Sequence, residues 1–283
     1  MTAVETPQRL WITEQLDELH VHGAVALEGA DPEGVHQLRV AVRRIRAVLK
    51  AARFDDGGTL LAELRWFFGE LGPLRDLDVL LDRFRGDTDG FAREEMIAFE
   101  RLLKGLRAER GRARRRAIRT LRGERYQRLL AALAETDVAP RAATGLLAEI
   151  VQPFRKLRKA VRAAGQDPED EVLHALRIRG KKLRYAAELA GPGGGKPVKR
   201  LVKAAKRLQD VLGEHQDACV AEDRVRSLVT GGGTSSGVRE IGPAEAFVAG
   251  RLVERERNRQ AAARAQWYPA YQEVERRAVE LLG

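Results

Sequence analysis

The chain has 283 residues, 44% of them hydrophobic and 33% charged, with a formal net charge of +10 and a pI near 10.1. That is enough apolar material for one large domain or two units of ordinary size, and the basic balance points to polyanionic partners such as nucleic acid, an anionic membrane surface or a phosphate polymer. A single cysteine, Cys219, excludes an internal disulfide and reads as a small buried residue in a reducing compartment, while no stretch approaches the roughly 18 apolar residues that span a bilayer and the start MTAVETPQRLW lacks the basic and apolar regions of a secretory signal, so a soluble cytoplasmic chain is expected.

Ala, Leu, Arg and Glu dominate and aromatics are only 5%, which suits helices better than sheets. Apolar periodicity predicts helices over 7–28, 34–54, 59–85 with an interruption, 91–122, 123–135, 141–164, 170–190, 196–213, 214–230, 243–264 and 267–282. Breakers separate them: DDGG at 55, GDTDG at 86, TDVAP at 136, GQDPED at 165, GPGGGKP at 191 and GGGTSSG at 231. The last two read as mobile loops. Short connections between long helices argue for an all-α fold of antiparallel bundles.

Two of these helices share a pattern. Residues 35–46 read VHQLRVAVRRIR and residues 173–184 read LHALRIRGKKLR. Counting from His36 and His174, cations recur three, seven and ten positions later as Arg39, Arg43 and Arg46, and as Arg177, Lys181 and Arg184. At 3.6 residues per turn these offsets share one face. Leu38, Ile45 and Leu49, and Leu176 and Leu183 in the second copy, form the opposite apolar stripe. Solvated faces normally mix charge signs. Here six Arg or Lys and no acid lie between Gly34 and Phe54, and five and none between Val172 and Ala187. Like charges at helical spacing repel, so an anion-binding surface is expected.

The duplication extends further. Leu71, Gly72 and Asp76 of LGPLRDLDVL match Leu212, Gly213 and Asp217 of LGEHQDACVA, and Tyr126 and Tyr268 follow Arg122 and Arg264 at equal spacing. Two homologous helical halves are expected, about 1–140 and 141–283, related by approximate two-fold symmetry.

The HxLRVxxRRxR helix, the LGPxRDxDVL segment, the second HxLRIxxKKLRY helix and the KxLQDxLGEHQD segment together resemble the CHAD family, the conserved histidine alpha-helical domain. The resemblance covers nearly the whole chain. It implies two four-helix bundles with a basic central groove or pore that binds inorganic polyphosphate, and in some members association with polyphosphate granules. The family's histidine and basic positions fall on His36, Arg39, Arg43, Arg44 and Arg46, and on His174, Arg177, Lys181, Lys182 and Arg184. His215 stands where many members carry an uncharged residue and is counted among the candidate contacts.

The residues suit such a ligand. From His36 to Lys50 is about 21 Å of helix at 1.5 Å per residue, enough to meet several successive phosphates. Arginine offers a planar fork for two oxygens and lysine a mobile point charge. Lys199, Lys203 and Lys206 share a face in the second half, with Arg75 a partner in the first; Asp76 and Asp217 are expected to orient these cations, and Gly72 and Gly213 to permit close helix contact or a bend. Histidine among cations should charge more readily once phosphate is bound, so binding should weaken as pH rises through neutrality. The run from Arg110 to Arg122 is either a solvated helix bridging the halves or a peripheral anion track.

Other classes are less well supported. GPGGGKP lacks the spacing, the preceding strand and the Ser or Thr of a phosphate loop. There is no HExxH, no zinc-type cysteine pair and no nucleophile elbow. His20 and His22, two apart on a helix, face away from each other. No cofactor or metal is therefore expected, nor an enzyme; weak non-specific nucleic-acid binding is the alternative, disfavoured by the lack of aromatic stacking platforms, and a phosphate-processing enzyme using His36 and His174 ranks third, for want of a metal or a positioned nucleophile.

Overall fold

Good helix formers at a 3.6-residue period leave the backbone little alternative, and the computed structural model, which describes residues 7–28, 32–51, 54, 58–136, 146–231 and 241–283, contains no strand among the described residues. The helices are α1 (Pro7–Glu28), α2 (Glu33–Ala51), α3 (Thr59–Arg85), α4 (Arg93–Leu102), α5 (Lys104–Arg122), α6 (Glu124–Ala134), α7 (Leu146–Ala164), α8 (Asp170–Thr230) and α9 (Pro243–Leu282). The expected all-α class is borne out. No described helix is long and apolar enough to cross a membrane.

Four boundaries differ from expectation: first, the helix foreseen over 170–190 continues into the GPGGGKP segment as far as Gly195, in place of the expected mobile loop. The helix foreseen over 91–122 is parted at Leu103, a fully buried side chain between α4 and α5. The breaks expected at 213 and near 265 are absent: α8 runs through Gly213 and α9 through Pro269. A glycine costs a helix about 1 kcal/mol, which packing overrides. Pro269 removes one backbone donor, but Ala265, the carbonyl it leaves behind, is exposed to water. The same holds for Pro73 and Gly69 in α3. The helix foreseen from 141 begins within residues that lie outside the described ones, as do parts of the breakers at 55, 136 and 231.

The chain forms two compact units, Met1–Arg141 and Ala142–Gly283. In the first, α2 lays Leu38, Val42, Ile45 and Leu49 into a core with Leu19 of α1, Leu64, Phe67 and Leu71 of α3, Leu121 of α5 and Tyr126, Leu129 and Leu133 of α6. Tyr126 stacks on Phe67 with ring centroids 4.6 Å apart and its hydroxyl donates to the Leu19 carbonyl at 3.2 Å. The stripe foreseen on α2 is thus fully buried.

In the second unit the core joins Ile150, Phe154 and Leu157 of α7 to Leu173, Leu176, Leu183, Leu201, Leu208 and Leu212 of α8 and Trp267, Tyr271 and Val274 of α9. Tyr268, the sequence match of Tyr126, is only half-buried, edge-on to Trp267 at 5.4 Å. Helix α8 is two arms. Gly195 breaks it with φ 61° and ψ −153°, a conformation open to glycine alone. Beyond it the chain doubles back: His215 meets Asp170, Gln216 meets His174, Gly213 approaches Arg177 and Leu208 approaches Gly180. From the pair His174 and Gln216, through Arg177 and Gly213, to Gly180 and Leu208, one set of numbers falls as the other rises, so the arms are antiparallel.

The first helical pair is fixed by a close approach. A Cβ at Gly34 would lie 2.8 Å from the Ala26 nitrogen and 3.1 Å from Val25 Cγ1, closer than carbon tolerates, and the first obstacle is backbone. Gly34→Ala should therefore lower stability by about 1–3 kcal/mol through overpacking, measured as a shift of the urea midpoint at unchanged slope.

Candidate anion-binding site

The cationic face of α2 meets α3 through one seated arginine. Arg39 donates from Nη1 to the Phe68 carbonyl at 3.0 Å, and its guanidinium carbon lies 3.9 Å from the centroid of the Phe68 ring. A Cβ on Gly72 would come within 3.1 Å of Nη1, so the glycine clears the space in which the guanidinium rests. Arg46, two turns on, also overlies Phe68, at 5.9 Å. Arg43 between them is exposed. Burial presses the Arg39 pKa down; Asp76 opposes that, and Arg43 and Arg75 add to it. Arginine nonetheless keeps its charge throughout the neutral range.

His36 stands at the head of this face, half-buried. Burial lowers its pKa first, then Arg75; Glu33 pulls it up, and Arg43 and Arg39 push it down again. The ring is therefore neutral near pH 7 and placed so that an anion arriving among these arginines would favour its charged form.

The second copy repeats the seat with different trim. Arg177, three residues after His174, lies against Gly213, where a Cβ would sit 3.8 Å from its Nε; that Nε is buried with no hydrogen-bond partner. Lys181 and Arg184 lean on Tyr185, at 5.8 and 5.0 Å from the ring centroid. Arg184 also pairs with Glu188 at 3.1 Å. Where His36 faces Arg75, His174 faces Gln216: Nδ1 and Oε1 are 2.5 Å apart, and since a carboxamide oxygen only accepts, Nδ1 carries the proton. Lys199 and Lys203 are exposed, and Lys206 pairs with Asp210 at 3.6 Å.

Not every candidate joins these faces. Arg44 turns toward α1, 3.4 Å from Gln15. Lys182 lines a groove between α7 and α8 with Lys156, Lys159 and Arg179 over Ala160 and Ile178. Lys50 is exposed at the far end of α2. His215 is 2% exposed, 3.2 Å from Asp170, with Cys219 beside both. Burial, then Asp170, pushes the Cys219 thiol up to about 12, too high for a nucleophile. In the 110–122 run, Arg110 pairs with the buried Asp78 and Arg116 forks onto Glu70 at 2.6 and 2.7 Å. Several of its charges thus tie α5 to α3. His20 is exposed, and His22 meets Glu18 at 2.9 Å.

Phe68 and Tyr185, which brace the arginines, escaped the sequence reading, as did Gln216. Phe68 sits four residues before Gly72 and Tyr185 directly after Arg184; an aromatic within reach of a basic stripe is the signal that marks them.

Residues 11–226 match the CHAD domain family. Among curated proteins, the uncharacterized proteins MT2285 and Rv2226 of Mycobacterium tuberculosis (strains CDC 1551 / Oshkosh and ATCC 25618 / H37Rv) are each 33% identical over 232 residues, 76% of this chain and 44% of theirs. The chain thus spans under half the length of those relatives. Among solved structures, PptA from Streptomyces chartreusis superposes with a TM-score of 0.66 at 24% identity, covering 94% of this chain and 96% of that one. The CHAD domain from the plant Ricinus communis gives a TM-score of 0.66 at 26% identity, covering 92% and 90%.

The Phe68 ring is worth about 0.5–1 kcal/mol to a cation resting on it. Phe68→Leu keeps apolar bulk but removes the ring, and should lower the stability of the fold by about 0.5–1 kcal/mol, read as a shift of the urea midpoint.

Proposed function

Since the chain belongs to the CHAD domain family, we propose that it binds inorganic polyphosphate on the cationic faces headed by His36 and His174, holding the polymer without cleaving it. The observation that carries this reading is the arginine three residues after each histidine, set beside a glycine of the neighbouring helix: Arg39 packs tightly on Gly72, where a Cβ would come within 3.1 Å, and Arg177 lies in ordinary contact with Gly213, at 3.8 Å. A merely solvated face has no need to hold its arginines in place. Fixed guanidinium groups lose less freedom on meeting a phosphate than swinging ones, and the ligand supplies the counter-charge that Arg43, Lys181, Lys199 and Lys203 require.

A phosphate polymer suits these faces better than nucleic acid. The aromatics at the site, Phe68 and Tyr185, lie beneath arginines and lysine, where they serve the cations and offer no free ring for a base to stack on. Retention of the protein on polyphosphate granules would follow from this binding.

His36 makes the binding pH-dependent. His36 in the free protein has a lowered pKa, and bound phosphate raises it, so binding takes up a proton. Affinity is then full below the free-state pKa and declines as pH climbs through the bound-state pKa.

Titration with medium-chain polyphosphate against an equal charge concentration of single-stranded DNA, at several salt concentrations, tests the reading. Polyphosphate should be preferred, with a log-log salt slope of about 0.7 per contacted charge by analogy with single strands. The quadruple variant His36→Ala/Arg43→Ala/His174→Ala/Lys181→Ala should lose the preference. Equal binding of DNA, or an unchanged variant, would overturn the proposal, and shortening of the polymer would make the protein an enzyme. In a second experiment, affinity should be lower at pH 8 than at pH 6, and His36→Ala should flatten part of that dependence; a pH-independent affinity counts against the histidine role.

A further inference from the structure

The second unit carries a polar cluster that the first does not. The glycine-centred segments align Gly72 with Gly213, which places His215 on Leu74 and Cys219 on Asp78; the histidine-headed helices align Asp170 with Pro32. Leu74 is an ordinary core residue, 5% exposed. A helix pair of this kind thus packs well with a hydrocarbon at that position, whereas His215 puts an imidazole there, 2% exposed, at a desolvation cost that leucine avoids.

The imidazole is surrounded by metal-binding atoms. His215 and Cys219 are one helical turn apart on the same face of the second arm of α8, and Asp170 is the first residue of the first arm. His215 Nε2 lies 3.2 Å from Asp170 Oδ1; Cys219 Sγ lies 3.7 Å from Asp170 Oδ2 and 3.8 and 4.0 Å from the two ring nitrogens of His215. A tetrahedral ion with ligand bonds of about 2.0–2.3 Å has ligand–ligand edges of roughly 3.3–3.8 Å. One ligand atom from each residue can be chosen so that all three lie within 4.8 Å of one another, so a modest inward turn of the side chains closes them to tetrahedral edges.

We propose that Asp170, His215 and Cys219 form a binding site for a divalent transition-metal ion of zinc's chemical class, with its fourth position open to solvent beside His174. The donor set selects the class: one nitrogen, one sulfur and one oxygen suit zinc and its neighbours, while magnesium and calcium take oxygen alone. Arg264 bonds Asp170 at Oδ1 and reaches the Pro168 carbonyl at 2.7 Å, which fixes the carboxylate and leaves Oδ2 turned to the thiol, the outer-shell bracing that metal-bound carboxylates use. The open position faces a cavity lined by Asp170, Glu171, His174, Gln216 and Cys219. The acids there, with Asp223 near the thiol, offset the charge of Arg264. Loading replaces the S–H bond of Cys219 with a metal–sulfur bond and releases that proton to solvent.

Because Cys219 is the only cysteine, cobalt reports on this site alone. The full chain, stripped with chelator and titrated with Co2+, should develop a near-ultraviolet thiolate-to-cobalt charge-transfer band that saturates at one equivalent and is displaced by Zn2+. Cys219→Ser should abolish the band while keeping the far-ultraviolet dichroism of the folded chain, and should lower Zn2+ affinity at least about tenfold. Zn2+ should raise the melting temperature of the wild type more than that of Cys219→Ser. Absence of the band from a folded wild-type chain overturns the proposal, as does a zinc-induced stabilisation identical in both proteins, which would place the ion on other histidines.

Discussion

The seating of an arginine against a glycine on the neighbouring helix is the contact on which the functional face depends. A guanidinium is large and charged, and a helix packed beside it ordinarily presents side chains that would push it into solvent. Gly72 removes that side chain where Arg39 lies, and at Gly213 a Cβ would sit 3.8 Å from Arg177 Nε, an ordinary contact. In the first unit the Phe68 carbonyl and ring then hold the group from two sides. The buried leucines behind each basic helix keep the two backbones at the required distance, so core packing and charge placement are one arrangement read from opposite faces.

The two units use this device with unequal electrostatics. In the first, Arg75 adds to the field around His36. In the second, the matching position is Gln216, a neutral acceptor for the His174 ring, and Glu188 offsets Arg184. The first face thus sets a cation beside its histidine, while the second fixes its histidine's tautomer. One kind of scaffold supports both, because surface residues and a single core position can differ without disturbing the apolar stripe. His215, standing where the first unit has Leu74, is such a change, and with Asp170 and Cys219 it gives the second unit chemistry that its counterpart lacks.

Helix identity, the apolar stripes and the composition of the basic faces were legible in the sequence because each follows from local periodicity: offsets of three, four and seven residues decide which side chains share a face, whatever the helix packs against. The histidine-headed repeat and the paired Leu-Gly segments were legible for the same reason. What periodicity cannot supply is the partner across the gap. That Arg44 turns toward Gln15 while Arg39 lies on Phe68, that Arg110 and Arg116 are tied to Asp78 and Glu70, and that α8 doubles back at Gly195 to bring Asp170 to His215 and Cys219 are facts of tertiary structure. Those contacts join residues 29 to 49 positions apart, and their distances are set by how closely two helices pack. Such packing depends on the summed shapes of both surfaces, so the sequence alone determined which residues carry charge, and only the fold decided which of those charges are held, which are cancelled and which are left to meet a ligand.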